Sequence, residues 1–295
     1  MNNNWSQFVQ TSEELYRSRA LRFTDENKDL WLNAIGVTDG IDVLELGCAG
    51  GLFCHRIKKH LPKTKVTGLD FDSGHIEYAK QKSAELGLDC EFVNGDATKL
   101  PFGDNTFDLC YSHTVVEHVP TTPFLFEQLR VLKPDGRIAV LSVRTRLSVR
   151  NNNWYIVGEG EEVLSGKLWA KANKNQPVKD IGSYEMDEKE YPVVLERAGF
   201  RDVNVDFITV TEYAPDNASV TREAALEQIN CNRLSSLASM EKALRLDPDA
   251  LPVSEQTKLR TMINKRYDKR VELYLSGEKQ WDFSTVTVLI ASGRK

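Results

Sequence analysis

The run Val43-Leu44-Glu45-Leu46-Gly47-Cys48-Ala49-Gly50-Gly51 constrains this 295-residue chain more than any other feature. A short apolar strand breaks there into a turn of small residues, and a helix through Leu52, Phe53, Cys54, His55, Arg56 and Ile57 follows. Small residues let the backbone approach a ligand closely, and the amides that open the helix point toward it. The predicted site therefore lies at the carboxyl end of the first strand. The dinucleotide fingerprint wants glycine at the first, third and sixth places of such a turn. Counted from Gly47, the third place is Ala49 and the sixth is Leu52, which disfavours a nicotinamide cofactor. A phosphate-cradling loop needs Gly-Lys followed by Ser or Thr, and none follows. Helix-to-strand packing alone can also produce a turn of this kind.

The elements that follow place acids where a nucleoside would need them. Lys65 to Asp72 reads as a second strand ending in Asp70, about 25 residues beyond Glu45. A carboxylate at that place can accept from both ribose hydroxyls. A helix is predicted from a Ser73 cap through Ile76, Tyr78, Ala79 and Leu86, with Gly87 as its left-handed end. Cys90 to Asn94 is a third strand with Gly95-Asp96-Ala97 at its end. Asp96 can accept from an adenine amino group while a backbone amide donates to the ring; read alone, it is an ordinary turn acid.

Glu45, Gly47, Ala49 and Gly51 form an acidic-x-Gly-x-Gly-x-Gly pattern, with alanine at the middle glycine. The pattern resembles the opening motif of class I S-adenosylmethionine (SAM) dependent methyltransferases. Asn94-Gly95-Asp96-Ala97-Thr98-Lys99-Leu100-Pro101-Phe102, the strand Phe107 to His113, and Leu132-Lys133-Pro134-Asp135-Gly136 before a strand from Arg137 to Val143 extend the likeness. They are similar to the ubiquinone/menaquinone-type branch of small-molecule methyltransferases. The resemblance implies an α/β, Rossmann-like, doubly wound seven-stranded sheet with an antiparallel last strand. It implies SAM as cofactor and S-adenosylhomocysteine as product. The cofactor residues it points to are Glu45, Gly47, Cys48, Ala49, Gly51, Asp70, Phe71, Asp96, Ala97 and Ser112. In relatives an N-terminal segment folds over the cofactor, and Tyr16, Arg19 and Arg22 are candidates to reach the methionine carboxylate. A solvated basic helix face is the plain alternative for each.

The domain organisation expected is a helical cap over residues 1–36, a cofactor-binding core over 37–214 and 281–295, and a helical insertion over 215–280. Within the core, residues 144–183 read as a lid that mixes Arg144, Arg146 and Arg150 with Trp154, Tyr155 and Trp169. Those arginines could hold an anionic substrate or be solvated. A sixth strand is predicted from Asp202 to Thr211 after a helix from Glu188 to Ala198, and the only good seventh strand is Ser284 to Ala291. The insertion between them fits two amphipathic helices split by Pro248 and Pro252, either capping the active site or forming a dimer face.

A net charge of −5 argues against a nucleic-acid groove, and no Asn-Pro-Pro-Tyr or Asp-Pro-Pro-Tyr follows the fourth strand. Five cysteines without C-x-x-C spacing read as reduced thiols. No apolar run approaches 18 residues, and Met1 to Trp5 lacks a secretion signal, so the expectation is a cytoplasmic protein, monomer or homodimer, without membrane insertion. Methyl transfer needs a base only when the nucleophile arrives protonated. His118, in Glu117-His118-Val119 on a helix after the fourth strand, is the first candidate, and His113 the second. Each can equally be a structural histidine, and their spacing suits no metal pair. Glu117-His118 is also similar to the cyclopropane-forming lipid methyltransferases, whose glutamate holds a bicarbonate base; no other sign supports that reading. The reading reached is methyl transfer to a small-molecule acceptor. The alternative is a SAM-binding sensor or partner subunit without turnover.

Overall fold

The computed structural model describes residues 5–151, 158–175, 178 and 181–295. Three helices come first, α1 (Trp5–Phe8), α2 (Ser12–Ala20) and α3 (Lys28–Ile35). Then β1 (Asp42–Leu46), α4 (Leu52–His60), β2 (Lys65–Asp70), α5 (Ser73–Leu86), β3 (Glu91–Asn94), β4 (Phe107–His113), α6 (Thr121–Val131) and β5 (Leu132–Val143) make the winding unit. They are followed by β6 (Arg150–Asn151), α7 (Glu159–Ala172), α8 (Glu190–Arg197), β7 (Arg201–Tyr213), α9 (Arg222–Leu246), α10 (Val253–Leu275) and β8 (Phe283–Arg294).

The sheet runs β3-β2-β1-β4-β5-β8, with β7 on the outer side of β8. β1 to β5 are parallel, and β8 is antiparallel to both β5 and β7. The doubly wound α/β fold is thus present, with eight strands where seven were expected. The eighth is β6, a two-residue strand that pairs Arg150 with Ser284 beyond the end of β5. Two further boundaries differ from expectation. Leu132 to Gly136 already belongs to β5, where a register shift opposite Asp108 absorbs the extra residues. α5 is capped by Asp72, whose side chain accepts from the Gly74 amide, and Ser73 is its first helical residue.

Two apolar layers sandwich the sheet. Trp31, Ile35, Phe53 and Ile57 fill the α3/α4 face; Phe124, Leu125, Tyr191 and Leu195 fill the α6/α8 face. The strands of a parallel sheet are buried on both faces, which is why Val43, Leu44 and Leu46 follow one another with only Glu45 between them.

A third core lies outside the sheet. Leu164 and Leu168 of α7 pack with Ile229, Met240 and Ala243 of α9 and Leu259, Ile263 and Tyr267 of α10. The layer is anchored to the strands by one buried cation: Arg270 bonds Asp282 at 2.6 and 3.1 Å and Asp216 at 2.8 Å. Asp216 also accepts from the amides of Gln280 and Trp281, and Tyr213 donates to Asp282. Fully buried charges persist only when paired and hydrogen-bonded in this way. The insertion joining β7 to β8 is therefore pinned at both of its ends.

Candidate active site

The glycine turn is built by β2 as much as by its own residues. The amides of Gly47 and Cys48 donate to the Leu69 carbonyl, and the Ala49 amide donates to Asp70 Oδ2 at 2.9 Å. The Asp72 amide occupies Asp70 Oδ1 at 2.9 Å. Gly47, Ala49 and Gly51 all adopt left-handed φ, at 68°, 47° and 80°. A Cβ on Gly47 would collide with Val115, and one on Gly51 would meet the Phe92 ring at 2.8 Å, so neither position accommodates a side chain. Each Asp70 oxygen keeps a lone pair after its backbone bond, leaving two acceptor positions at the mouth of the turn. That is a fit for the paired hydroxyls of a ribose. Burial raises the Asp70 pKa from its ordinary value.

Glu45 lies beneath the turn. It is buried, accepts from the Cys54 thiol at 2.9 Å, and burial pushes its pKa up to about 7. Cys48 and Ala97 are buried and Phe71 is exposed. Asp96 is exposed at the end of β3, with Oδ1 accepting from the amide and hydroxyl of Thr98, both at 2.7 Å. Ser112 is fully buried, and its hydroxyl has no partner among the described residues.

The three N-terminal candidates separate. Tyr16 faces His55, 3.3 Å from Nδ1, and Tyr78. Arg22 pairs with Glu212 on β7. Only Arg19 reaches the turn. One of its Nη atoms donates to Thr114 at 3.4 Å, and the other is shielded from water without a partner among the described residues. Burial lowers its pKa to about 10, with Arg22 adding to the effect while Glu45 and Asp70 oppose it. An unsatisfied guanidinium beside the turn suits a ligand carboxylate, such as that of the methionine moiety of SAM. The residues present therefore fit SAM at both ends, ribose and amino acid.

A cap over residues 1–36 is expected from the sequence, but not the side chains that fasten it as a strap across this mouth. The Ser6 amide and hydroxyl donate to the two Asp72 oxygens at 2.7 and 2.9 Å. Ser12 Oγ lies 2.8 Å from His75 Nδ1, and the Trp5 ring meets the His118 ring edge-on at 4.9 Å. α1 and α2 thus run from the loop after β2 to the turn after β4. Nothing local in the sequence marks these serines; only Thr114, non-glycine with φ of 57°, carries a sign of its own, and it is conformational. Behind α2, a cleft of about 430 Å³ opens toward α9, between Leu21 and Leu237, with the Arg22–Glu212 pair in its wall.

The histidines stand in different surroundings. His113 ends β4 among Trp31 and Phe53, with neither ring nitrogen bonded among the described residues, and burial drives its pKa well below the usual value. His118 sits in a 3-10 turn, Val116–His118, not on the expected helix. Val115, just before this turn, packs on Gly47. The Gly182 amide donates to His118 Nδ1 at 2.9 Å, and burial lowers the His118 pKa. Glu117, beside it, is committed elsewhere. Its carboxylate accepts from Ser142 and lies 3.5 Å from Arg144, which also bonds Tyr191 at 2.7 Å and the Met186 carbonyl at 3.0 Å. The other Glu117 oxygen, Oε2, is buried without a partner among the described residues. Arg144 is thus structural, Arg146 pairs with Glu188, and Trp154 and Tyr155 lie outside the described residues.

A nucleoside-binding turn on a doubly wound sheet, with an acid at the end of each of the next two strands, defines a cofactor-dependent enzyme of the Rossmann-like class. Comparison with known proteins makes the class specific. The model of a methyltransferase domain matches residues 43–136. A demethylmenaquinone methyltransferase of Staphylococcus aureus (strain JH9) is 30% identical over 179 residues, covering 59% of this chain and 74% of the relative. Among solved structures, the cyclase SpnF aligns over 92% of this chain and 80% of its own with 19% identity and a TM-score of 0.50. A phosphoethanolamine N-methyltransferase of Haemonchus contortus, solved with SAM, aligns over 99% of this chain and 60% of its own with 13% identity and a TM-score of 0.52. The chain belongs to the class I SAM-dependent methyltransferases. Within that class its place is in the ubiquinone/menaquinone-type branch, and SAM is its cofactor.

Proposed function

We propose that the enzyme methylates an electron-rich, oxygen-bearing small molecule that approaches from the β4/β5 side of the mouth. The observation that carries this reading is the pairing of the Asp70 cradle with the unsatisfied Arg19: together they would hold ribose and methionine, leaving the methyl on the side of the Thr114–His118 turn. SAM, when bound, would supply a methyl activated on a sulfonium, with S-adenosylhomocysteine as the leaving group that keeps the electron pair of the broken carbon–sulfur bond. The protein's part is to align and to exclude water. The Ser6–Asp72 and Ser12–His75 contacts close the strap over the mouth, and the Glu117–Arg144 pair holds the turn after β4 rigid.

The relative's acceptor, by its name, is demethylmenaquinone. A quinone ring is electron-poor, so its reduced hydroquinone is the form that offers a nucleophile. Reduced demethylmenaquinone is thus the first acceptor to test. We place the reaction in the cytoplasm; no described helix is long and apolar enough to cross a membrane. The experiment is incubation of the full chain with methyl-labelled SAM, offered reduced demethylmenaquinone in one arm and a small-molecule cell extract in the other. A labelled small-molecule product is expected. Label found only in macromolecules, or none at all despite SAM binding, rejects the reading.

A further inference from the structure

We infer that the cleft behind α2 is a ligand site separate from the cofactor's, that it takes an uncharged, largely apolar small molecule, and that its ligand fastens the strap. The inference goes beyond methyl transfer and does not depend on which acceptor is methylated. Its ground is the two faces of α2. Ser12, Tyr16 and Arg19 share the face that meets His75, His55 and Thr114. Glu14, Ser18 and Leu21 share the opposite face and line the cleft. A helix with its side chains is about 10 Å across, so a ligand in the cleft is held apart from a molecule at the glycine turn.

The walls set the chemistry of the ligand. A volume of about 430 Å³ falls within the range of small-molecule sites, about 300–1,000 Å³. Apolar surface comes from both sides, Leu21 on α2 and Leu234, Leu237 and Ala238 on α9. Leu234 is 37% exposed, a leucine that the fold itself leaves uncovered. The charges of the walls are already engaged: Arg17 with Glu13, Arg22 with Glu212, and Glu241 with Arg260. Lys242 and Arg245 act on Glu14, whose pKa burial nonetheless raises. A charged ligand would have to break one of these pairs or lie beside them without a counter-charge. A neutral one need only displace water from the leucines. Asn232 and Ser235 of α9 offer it hydrogen bonds.

The site also has a consequence for the cofactor. The strap meets the insertion elsewhere through Arg245, which donates to the Gln7 carbonyl, and through Phe8 in the third core. A ligand that touches α2 and α9 at once adds contacts that exist only while the strap is down. It therefore strengthens the hold on a cofactor beneath the strap, and by linkage the cofactor strengthens the hold on it by the same factor.

The test uses two fluorescent probes of one skeleton, uncharged N-phenyl-1-naphthylamine and anionic 8-anilinonaphthalene-1-sulfonate. The full chain is expected to bind the neutral probe saturably at a single site, and the sulfonate at least about tenfold more weakly. S-adenosylhomocysteine should leave the neutral probe in place, and each should tighten the other about threefold or more. Leu234→Lys brings a charge into the cleft from an exposed position, and Ala238→Phe fills it. Each should weaken the neutral probe at least about tenfold while binding S-adenosylhomocysteine no worse than wild type in the absence of probe. Displacement of the probe by S-adenosylhomocysteine, equal affinity for the sulfonate, or no saturable binding overturns the inference, and none of these needs a variant. Probe binding that neither folded variant weakens, or joint binding without mutual tightening, overturns it too.

Discussion

At the residue scale, the cofactor site turns on the hydrogen bonds that hold Asp70 in place. Asp70→Ala removes the acceptor for the Ala49 amide as well as the ribose partner. The loss of charge-assisted bonds should weaken SAM binding by about 1.5–3 kcal/mol, roughly ten- to a hundredfold. Calorimetry showing wild-type affinity in a folded mutant would remove Asp70 from the site. Ala49 offers the opposite case. At φ of 47° its Cβ is strained by about 1 kcal/mol, and glycine would relieve that strain while adding freedom to the unfolded chain. Ala49→Gly should therefore leave SAM affinity unchanged and stability equal or up to about 1 kcal/mol higher. A clear fall in melting temperature would mean the alanine methyl packs on something the turn needs.

At the element scale, the strap α1–α2 is fastened by histidines that burial keeps neutral. His55 beside Tyr16 has its pKa lowered to about 4, and His75 beside Ser12 is also lowered, burial outweighing Asp70 and Asp72. When the strap lifts, both imidazoles meet water and regain a pKa near the ordinary 6.5. Between those values the open state binds more protons, so acid favours opening: the docking energy is complete above about pH 6.5 and falls away toward pH 4. Amide exchange in Ser12–Ala20, corrected for intrinsic rates, should accelerate as pH falls through that window. His55→Gln, which cannot titrate, should flatten the dependence. A slope unchanged by that substitution would move the acid sensitivity away from α2.

At the scale of the whole molecule, the insertion and the strap share one surface. Phe8 packs against the α7/α9/α10 core, Arg245 of α9 donates to the Gln7 carbonyl at 2.8 Å, and α9 faces α2 across the cleft. A ligand that fastens the strap should therefore quiet the insertion too. SAM is expected to slow exchange in α2 and in Leu259–Leu275 of α10 together, at low and high protein concentration alike. Protection of α10 that follows concentration and ignores SAM would make the insertion an oligomer face instead.

What the sequence by itself determined is the local part of this enzyme: the strand–turn–helix at Glu45–Leu52, the acids ending β2 and β3, and the proline-split pair of helices before β8. These follow from periodicity, from residues that alone tolerate a given φ, and from caps a few positions away, all of which are written within one window of the chain. Strand count already escaped it, because a two-residue β6 carries no periodic signal and exists only by pairing with Ser284. The tertiary structure decided the rest. It sorted Arg19 to the turn, Arg22 to Glu212 and Tyr16 to His55, though all three lie within seven residues of the chain. It spent Glu117 on Ser142 and Arg144, and it set the direction of the hydrogen bond at His118 through a glycine 64 residues away. A side chain's chemistry depends on which partners burial forces upon it, and those partners are remote in the chain.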